Sequence, residues 1–205
     1  MLTRWIAAND GVQDAVNGVG KFLESFNVTA GDLIQFAGAV GITNCPGAPK
    51  LEFLAGRPNA TFPAQKGTVP LPQESAQGIL ARMADAGLSA NDTINLLVSH
   101  TIARSDTLVV NLTDNQPITA VPFDTTPFTF DSQVFLEVLL KGNSVPFGFN
   151  NTDGAEVDSG LADEGEMRLQ SDSALARLPE TACFWQDMIN NQQHMMNSFK
   201  DVSES

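Results

Sequence analysis

Leu96-Leu97-Val98-Ser99-His100-Thr101-Ile102-Ala103-Arg104-Ser105-Asp106 reads as an apolar helix that carries one of only two histidines in the chain and runs straight into a cation and a carboxylate. Ser89 or Asn91 caps the start of this helix, and Ile94, Leu97, Val98 and Thr101 form its core face. His100 lies on or beside that face. A lone histidine there is most often a satisfied core residue, so a metal or cofactor needs support from elsewhere. Pro122-Phe123-Asp124-Thr125-Thr126-Pro127-Phe128-Thr129-Phe130-Asp131 offers it, with oxygen-bearing side chains at Asp124, Thr126, Thr129 and Asp131. Carboxylates and hydroxyls so spaced, with backbone carbonyls freed by prolines, suit a hard cation such as calcium. A turn followed by a helix cap accounts for the same spacing equally well.

Composition narrows the classes. With 205 residues, 42% hydrophobic and 17% charged, the chain has material for one globular domain and too little charge for a coiled coil or a disordered protein. A net charge of −13 argues against nucleic acid and anionic membrane surfaces as partners and favours cations. Tyrosine is absent, which removes tyrosyl radicals and tyrosine acids from consideration. No apolar run reaches the length of a membrane span, and Met1 to Asp10 lacks the apolar core of an export signal. Glycosylation sequons at Asn27, Asn59, Asn91, Asn111 and Asn150 nevertheless point to an extracellular protein, unless an Asn- and Thr-rich composition makes them by chance.

Outward from the central stretch, helical spacing predicts an amphipathic helix over 12–23 and a second after Thr29, apolar enough to be central. Repeated Pro and Gly make 44–72 a long irregular connection, and helical spacing returns from Ser75 until Gly87. A buried helix is expected over 132–142, then a surface loop over 143–164, a short 167–172 segment, a last helix around 182–190, and a polar tail at 199–205. The expected fold is all-α with long loops, in one domain over 1–205. No strand pattern, phosphate-binding glycine loop, Cys-x-x-Cys pair or Ser/His/Asp signature is present.

Gly31 to Val40, Asn44-Cys45-Pro46-Gly47-Ala48-Pro49 through Gly56-Arg57-Pro58, Ser99 to Arg104, Pro122 to Gly142 and Gly165 to Asp172 together resemble the secreted fungal haem peroxidases of class II, manganese peroxidase type. The resemblance runs in family order across nearly the whole chain. It implies a helical haem-peroxidase fold, here mainly the proximal domain. It implies haem b on His100 as the proximal ligand, Asp172 as the carboxylate on the other ring nitrogen, and Phe123 beside the imidazole. Thr101, Asp124, Thr126, Thr129 and Asp131 match the family's calcium ligands, Asp106 a manganese ligand, and Arg104 the arginine that orients manganese carboxylates. Asn95 stands where lignin-oxidising relatives carry a tryptophan, which disfavours surface tryptophan radical chemistry.

The family's distal histidine and arginine, its second calcium site and its two manganese-binding glutamates find no match; His194 has the wrong context for a distal base. Cys45 and Cys183 correspond to family cysteines whose disulfide partners fall in unmatched portions, so both are expected free. The implied activity is oxidation of Mn(II), phenolic or other lignin-related substrates by hydrogen peroxide. Two alternatives stay open: a non-catalytic or haem-free remnant holding manganese on surface carboxylates, and an incomplete product unstable alone because an apolar surface is exposed.

Overall fold

Three of the described helices start at Ser or Thr caps in the sequence. The structure is a computed structural model that describes residues 12–109, 114, 116–148 and 154–204. Helix α1 (Gln13–Gly20) runs into a 3-10 turn, Lys21–Glu24, and buries none of its residues. Helix α2 (Ala30–Thr43) begins where Thr29 accepts a hydrogen bond from the Asp32 amide. The expectation that α2 is central fails: only Asp32 and Leu33 are buried, while Ile34, Phe36 and Val40 face outward. Near-continuous apolar character does not by itself say whether a helix is covered, or by what. Asp32 ties it to the following connection, accepting from the amides of Gly56 and Arg57.

After the long connection, α3 (Ala76–Asp85) starts at the Ser75 hydroxyl and is closed by Gly87, whose φ of +85° only glycine adopts at low cost. Helix α4 (Ala90–Leu97) opens with a reciprocal cap: Ser89 accepts from the Asp92 amide while Asp92 accepts from the Ser89 amide. Such a cap stabilises a helix by about 1 kcal/mol. α4 tightens into a 3-10 turn over Val98–Ile102, which carries His100, and ends at extended Ala103. The tight turn lets the last carbonyls find partners, as in Ala103 N donating to the His100 carbonyl.

Two very short antiparallel ribbons correct the strand-free expectation. β1 (Arg104–Ser105) pairs with β2 (Val121–Pro122), with Arg104 opposite Pro122 and Ser105 opposite Val121. β3 (Glu156–Val157) pairs with β4 (Arg168–Leu169), with Glu156 opposite Leu169 and Val157 opposite Arg168. Two residues per strand leave no room for a visible alternation. Helix α5 (Gln133–Glu137) lies between the ribbons, α6 (Gln170–Leu175) follows β4 directly, and α7 (Ala182–Met188) and α8 (Gln192–Ser203) complete the chain.

Three boundaries differ from expectation. α5 stops at Glu137 rather than running to Gly142, and Gly142 passes so close to the Asp158 backbone that no side chain fits there. The 143–164 loop is partly interior, with Ala155, Glu156, Ser159 and Ala162 buried. The 199–205 tail is helical to Ser203, with Phe199 and Val202 buried. α8 went unread because its polar Gln and Asn residues mask a sparse stripe of Met195, Phe199 and Val202.

The core gathers where α4 meets α3, α7 and α8, joined by α5. Ile94, Val98, Phe130, Phe135, Trp185, Met188 and Met195 are almost wholly removed from solvent, each contributing roughly 1.5–3 kcal/mol. Trp185 Nε1 donates to the Phe135 carbonyl at 2.9 Å, so its one polar atom costs nothing on burial. This core holds the 3-10 turn rigid beneath His100.

Candidate active site

Three separate segments meet at His100. The turn after α4 presents the imidazole, the chain leaving β2 brings Phe123 and Asp124 beneath it, and the first turn of α6 supplies Asp172. His100 Nδ1 donates to Asp172 Oδ2 at 2.7 Å, a bond between residues 72 apart in sequence. Burial by itself would lower the imidazole pKa, but the charge and hydrogen bond of Asp172 outweigh it and hold His100 above its usual value. Because Nδ1 is committed to Asp172, Nε2 is the nitrogen left for a ligand. Phe123 packs edge-on against the imidazole, with ring centroids 5.4 Å apart.

The exposed quarter of the His100 side chain opens onto a cavity of about 380 Å³. Its walls include Pro70, Pro72, Met83, Leu97 and Leu169. The two prolines, read in the sequence only as breakers, form one wall and are tied to α6 by Ser171 N donating to the Pro72 carbonyl. A larger hollow of about 740 Å³ lies between α2, residues 51–57 and the end of α8, but no histidine lines it. Size therefore does not decide the site; the imidazole does.

On the other side of the turn is an oxygen-rich loop. Thr101, fully buried, donates through its hydroxyl to Asp124 Oδ2 at 2.7 Å. Asp124 Oδ1 accepts from the Thr126 amide, and the Thr126 hydroxyl donates to Asp131 Oδ1 at 3.0 Å. The Thr129 carbonyl lies 3.4 Å from the Thr101 hydroxyl, completing the set. Burial pushes Asp124 up to about 6, with Asp131 and Glu137 adding like charge. The structure thus makes neighbours of Thr101, Asp124, Thr126, Thr129 and Asp131.

Asp106 stands apart at the surface just after β1. It accepts from Arg104 Nε at 3.2 Å and from the Ala120 amide at 2.7 Å. Among the described residues no three His, Cys, Asp or Glu side chains gather closely enough to hold a metal, so surface carboxylates give no support to a haem-free manganese site. Asn95 is buried, its Oδ1 unpartnered. His194 pairs with Ser198 on α8, away from His100. Cys45 and Cys183 are not bonded to each other; Cys45 Sγ instead sits 3.8 Å from the Gly41 carbonyl. Of the sequons, Asn27, Asn59 and Asn91 are exposed, while Asn111 and Asn150 lie outside the described residues.

A peroxidase family model matches residues 3–191. Manganese peroxidase H4 of Phanerodontia chrysosporium is 53% identical over 201 residues, covering 95% of this chain and 50% of that protein. The chain belongs to the peroxidase family. Manganese peroxidase 2 of Phlebia radiata is equally similar, and versatile peroxidase VPS1 of Pleurotus eryngii is 47% identical over 195 residues. The chain spans half the length of these relatives.

Family membership lets the two sites be tested for fit. The cavity lies within the roughly 300–1,000 Å³ typical of cofactor sites and is lined mainly by apolar side chains, and a histidine with one nitrogen free enters it. Haem fits those residues. Two carboxylates, two hydroxyls and a backbone carbonyl, linked by hydrogen bonds around the buried Asp124, are the donor types that suit calcium, a hard cation that takes oxygen ligands. The sequence missed Glu137, whose buried carboxylate accepts from the Thr125 amide and hydroxyl. Its signal was a lone acid inside Val134-Phe135-Leu136-Glu137-Val138-Leu139.

Proposed function

We propose that this chain supplies the iron-ligating side of a haem peroxidase that uses hydrogen peroxide to oxidise Mn(II), with phenolic and lignin-related compounds as further substrates. The observation that carries the reading is the 2.7 Å bond from His100 Nδ1 to Asp172, which directs the other imidazole nitrogen into an apolar cavity. Haem, when bound, supplies the redox chemistry with peroxide. The chain's own residues then act on it in named ways. Asp172 accepts the Nδ1 proton, which sets the tautomer, fixes the ring and raises its basicity as a ligand. Phe123, edge-on to the ring, limits its rotation. Leu97, Leu169 and the proline wall surround the imidazole face with apolar surface. Thr101 ties the turn to the proposed calcium loop. Asp106, aligned by Arg104 Nε and the Ala120 amide, offers a carboxylate for Mn(II) at the surface. An extracellular setting is part of this reading, supported by the manganese peroxidase relatives and by three exposed sequons.

Titrating the purified chain with haemin tests it. Wild type is expected to develop a Soret band that His100→Ala loses, and a wild type with no band overturns the proposal. Asp106→Ala should keep the band and lower peroxide-dependent Mn(II) oxidation, so equal manganese oxidation by that variant would remove Asp106 from the metal site.

A further inference from the structure

Glu137 is 97% buried at the end of an apolar helix, where an ionisable side chain is costly unless its partners are specific. Its partners come from two different parts of the site. Oε2 accepts from the Thr125 amide at 2.9 Å, and Oε1 accepts from the Thr125 hydroxyl at 2.5 Å and from Gln133 Nε2 at 2.9 Å. Thr125 sits inside the oxygen-rich loop, between Asp124 and Thr126. In the other direction, the Glu137 carbonyl accepts from Arg168 Nη2 at 2.8 Å, and Arg168 Nη1 donates to the carbonyls of Leu140 and Asp158 at 3.0 and 2.9 Å. Arg168 is in β4, whose end runs without a loop into α6 and Asp172.

These contacts close a ring. His100 is followed by Thr101, which donates to Asp124; Thr125 donates to Glu137; Glu137 accepts from Arg168; and Asp172, four residues on, accepts from His100. Thr101 alone can fix the backbone that carries the imidazole. It cannot fix Asp172, which arrives on a different segment. A hydrogen bond weakens steeply with misalignment, so the two segments need a common reference. Glu137 touches the loop with its side chain and the β4 segment with its backbone, in addition to the bond from Met167 N to the Pro122 carbonyl at the loop's start. Glu166 completes its surroundings: burial first, and then the Glu137 charge, push that carboxyl well above the usual carboxylate range, and it accepts from the Ser159 hydroxyl at 2.8 Å.

We propose that Glu137 is a positioning residue that transmits occupancy of the oxygen-rich loop to the Asp172–His100 hydrogen bond, through Thr125 on one side and Arg168 on the other. The proposal rests on the reading of that loop as a cation site. It acts on the bond's geometry and involves no proton transfer by Glu137 itself.

The test uses the 205-residue chain labelled with 15N-histidine, which contains only two histidines. The low-field Nδ1 proton of His100 reports its bond to Asp172, and His194 serves as the internal control. Terbium luminescence reports whether the loop is occupied. In wild type, adding calcium to chelator-treated protein is expected to shift the His100 Nδ1 resonance. Glu137→Gln and Thr125→Val should each retain terbium binding and lose at least half of that shift. Thr125→Val removes a single hydroxyl and no charge, so it decides the matter if Glu137→Gln does not fold. Full retention of the shift by the folded variants, or a wild type that binds terbium without any shift, overturns the proposal alone. No terbium uptake by wild type overturns it together with the calcium reading.

Discussion

At the scale of single residues, the site depends on commitments between atoms far apart in sequence. Asp124 is fully buried with one hydroxyl, one amide and two like charges around it, an arrangement that a cation would relieve. Calcium at about a hundredfold its dissociation constant adds about 2.7 kcal/mol to stability, or a rise in melting temperature of roughly 5–10 °C for a chain of this size. Wild type is expected to show that rise between chelator and calcium, and Asp131→Ala to lose it. A wild-type melting temperature unchanged by chelator, followed by circular dichroism, would count against the calcium reading. His100 and the loop carboxylates stood out as candidates through the family resemblance, since their local spacing suits a core histidine and a capped turn equally well. Glu137 did not, since its partners Thr125 and Arg168 become neighbours only after folding.

At the scale of elements, caps and the closing Gly87 were legible, while the ends of α5 and α8 were not. Thr29, Ser75 and Ser89 each accept from the amide three residues on, because that chemistry is local. The path of the chain after α5 brings Gly142 against Asp158, a contact between segments. Gly142→Ala would place a methyl group against the Asp158 carbonyl, whose oxygen also accepts from Arg168. Overpacking of this kind costs about 1–3 kcal/mol, so the variant should melt several degrees below wild type. Because the Asp158 carbonyl helps anchor β4, haemin affinity should fall with it. A variant that melts and binds haemin like wild type would show that the ribbon can shift freely.

At the scale of the whole molecule, the buried acids set the pH response. Burial pushes Asp124 up to about 6, Glu156 to about 7 and Glu166 to about 8. Each binds its proton more tightly folded than unfolded, so each contributes stability that is complete below about pH 4 and lost as pH rises through the folded value. His100, also held above its usual value, acts in the same direction: its contribution is present below about pH 6.5 and lost above. Asp32 and Asp92 are lowered, by the Gly56 amide and the Ser89 hydroxyl first, and their contribution disappears on acidification below about pH 4. In chelator the melting temperature should therefore peak near pH 4–5 and fall toward pH 8. Calcium should flatten the part of the fall due to Asp124, by stabilising its ionised form. A melting temperature that climbs steadily from pH 5 to 8 would show that the buried carboxylates do not control stability.

The sequence by itself determined the helical class and the capped starts of α2, α3 and α4, because periodicity and capping act over a few residues, and its family resemblance, not ligand spacing, singled out His100 and the oxygen-rich loop as candidates. Only the tertiary structure decided that α2 lies outside the core, that 143–164 is partly interior and that 199–203 is helical. It alone brought Asp172 to within 2.7 Å of His100 and set Glu137 between the loop and β4. The physical reason is common to all of these: burial and long-range hydrogen bonds depend on which surfaces meet, and one segment's residue pattern does not name its partner.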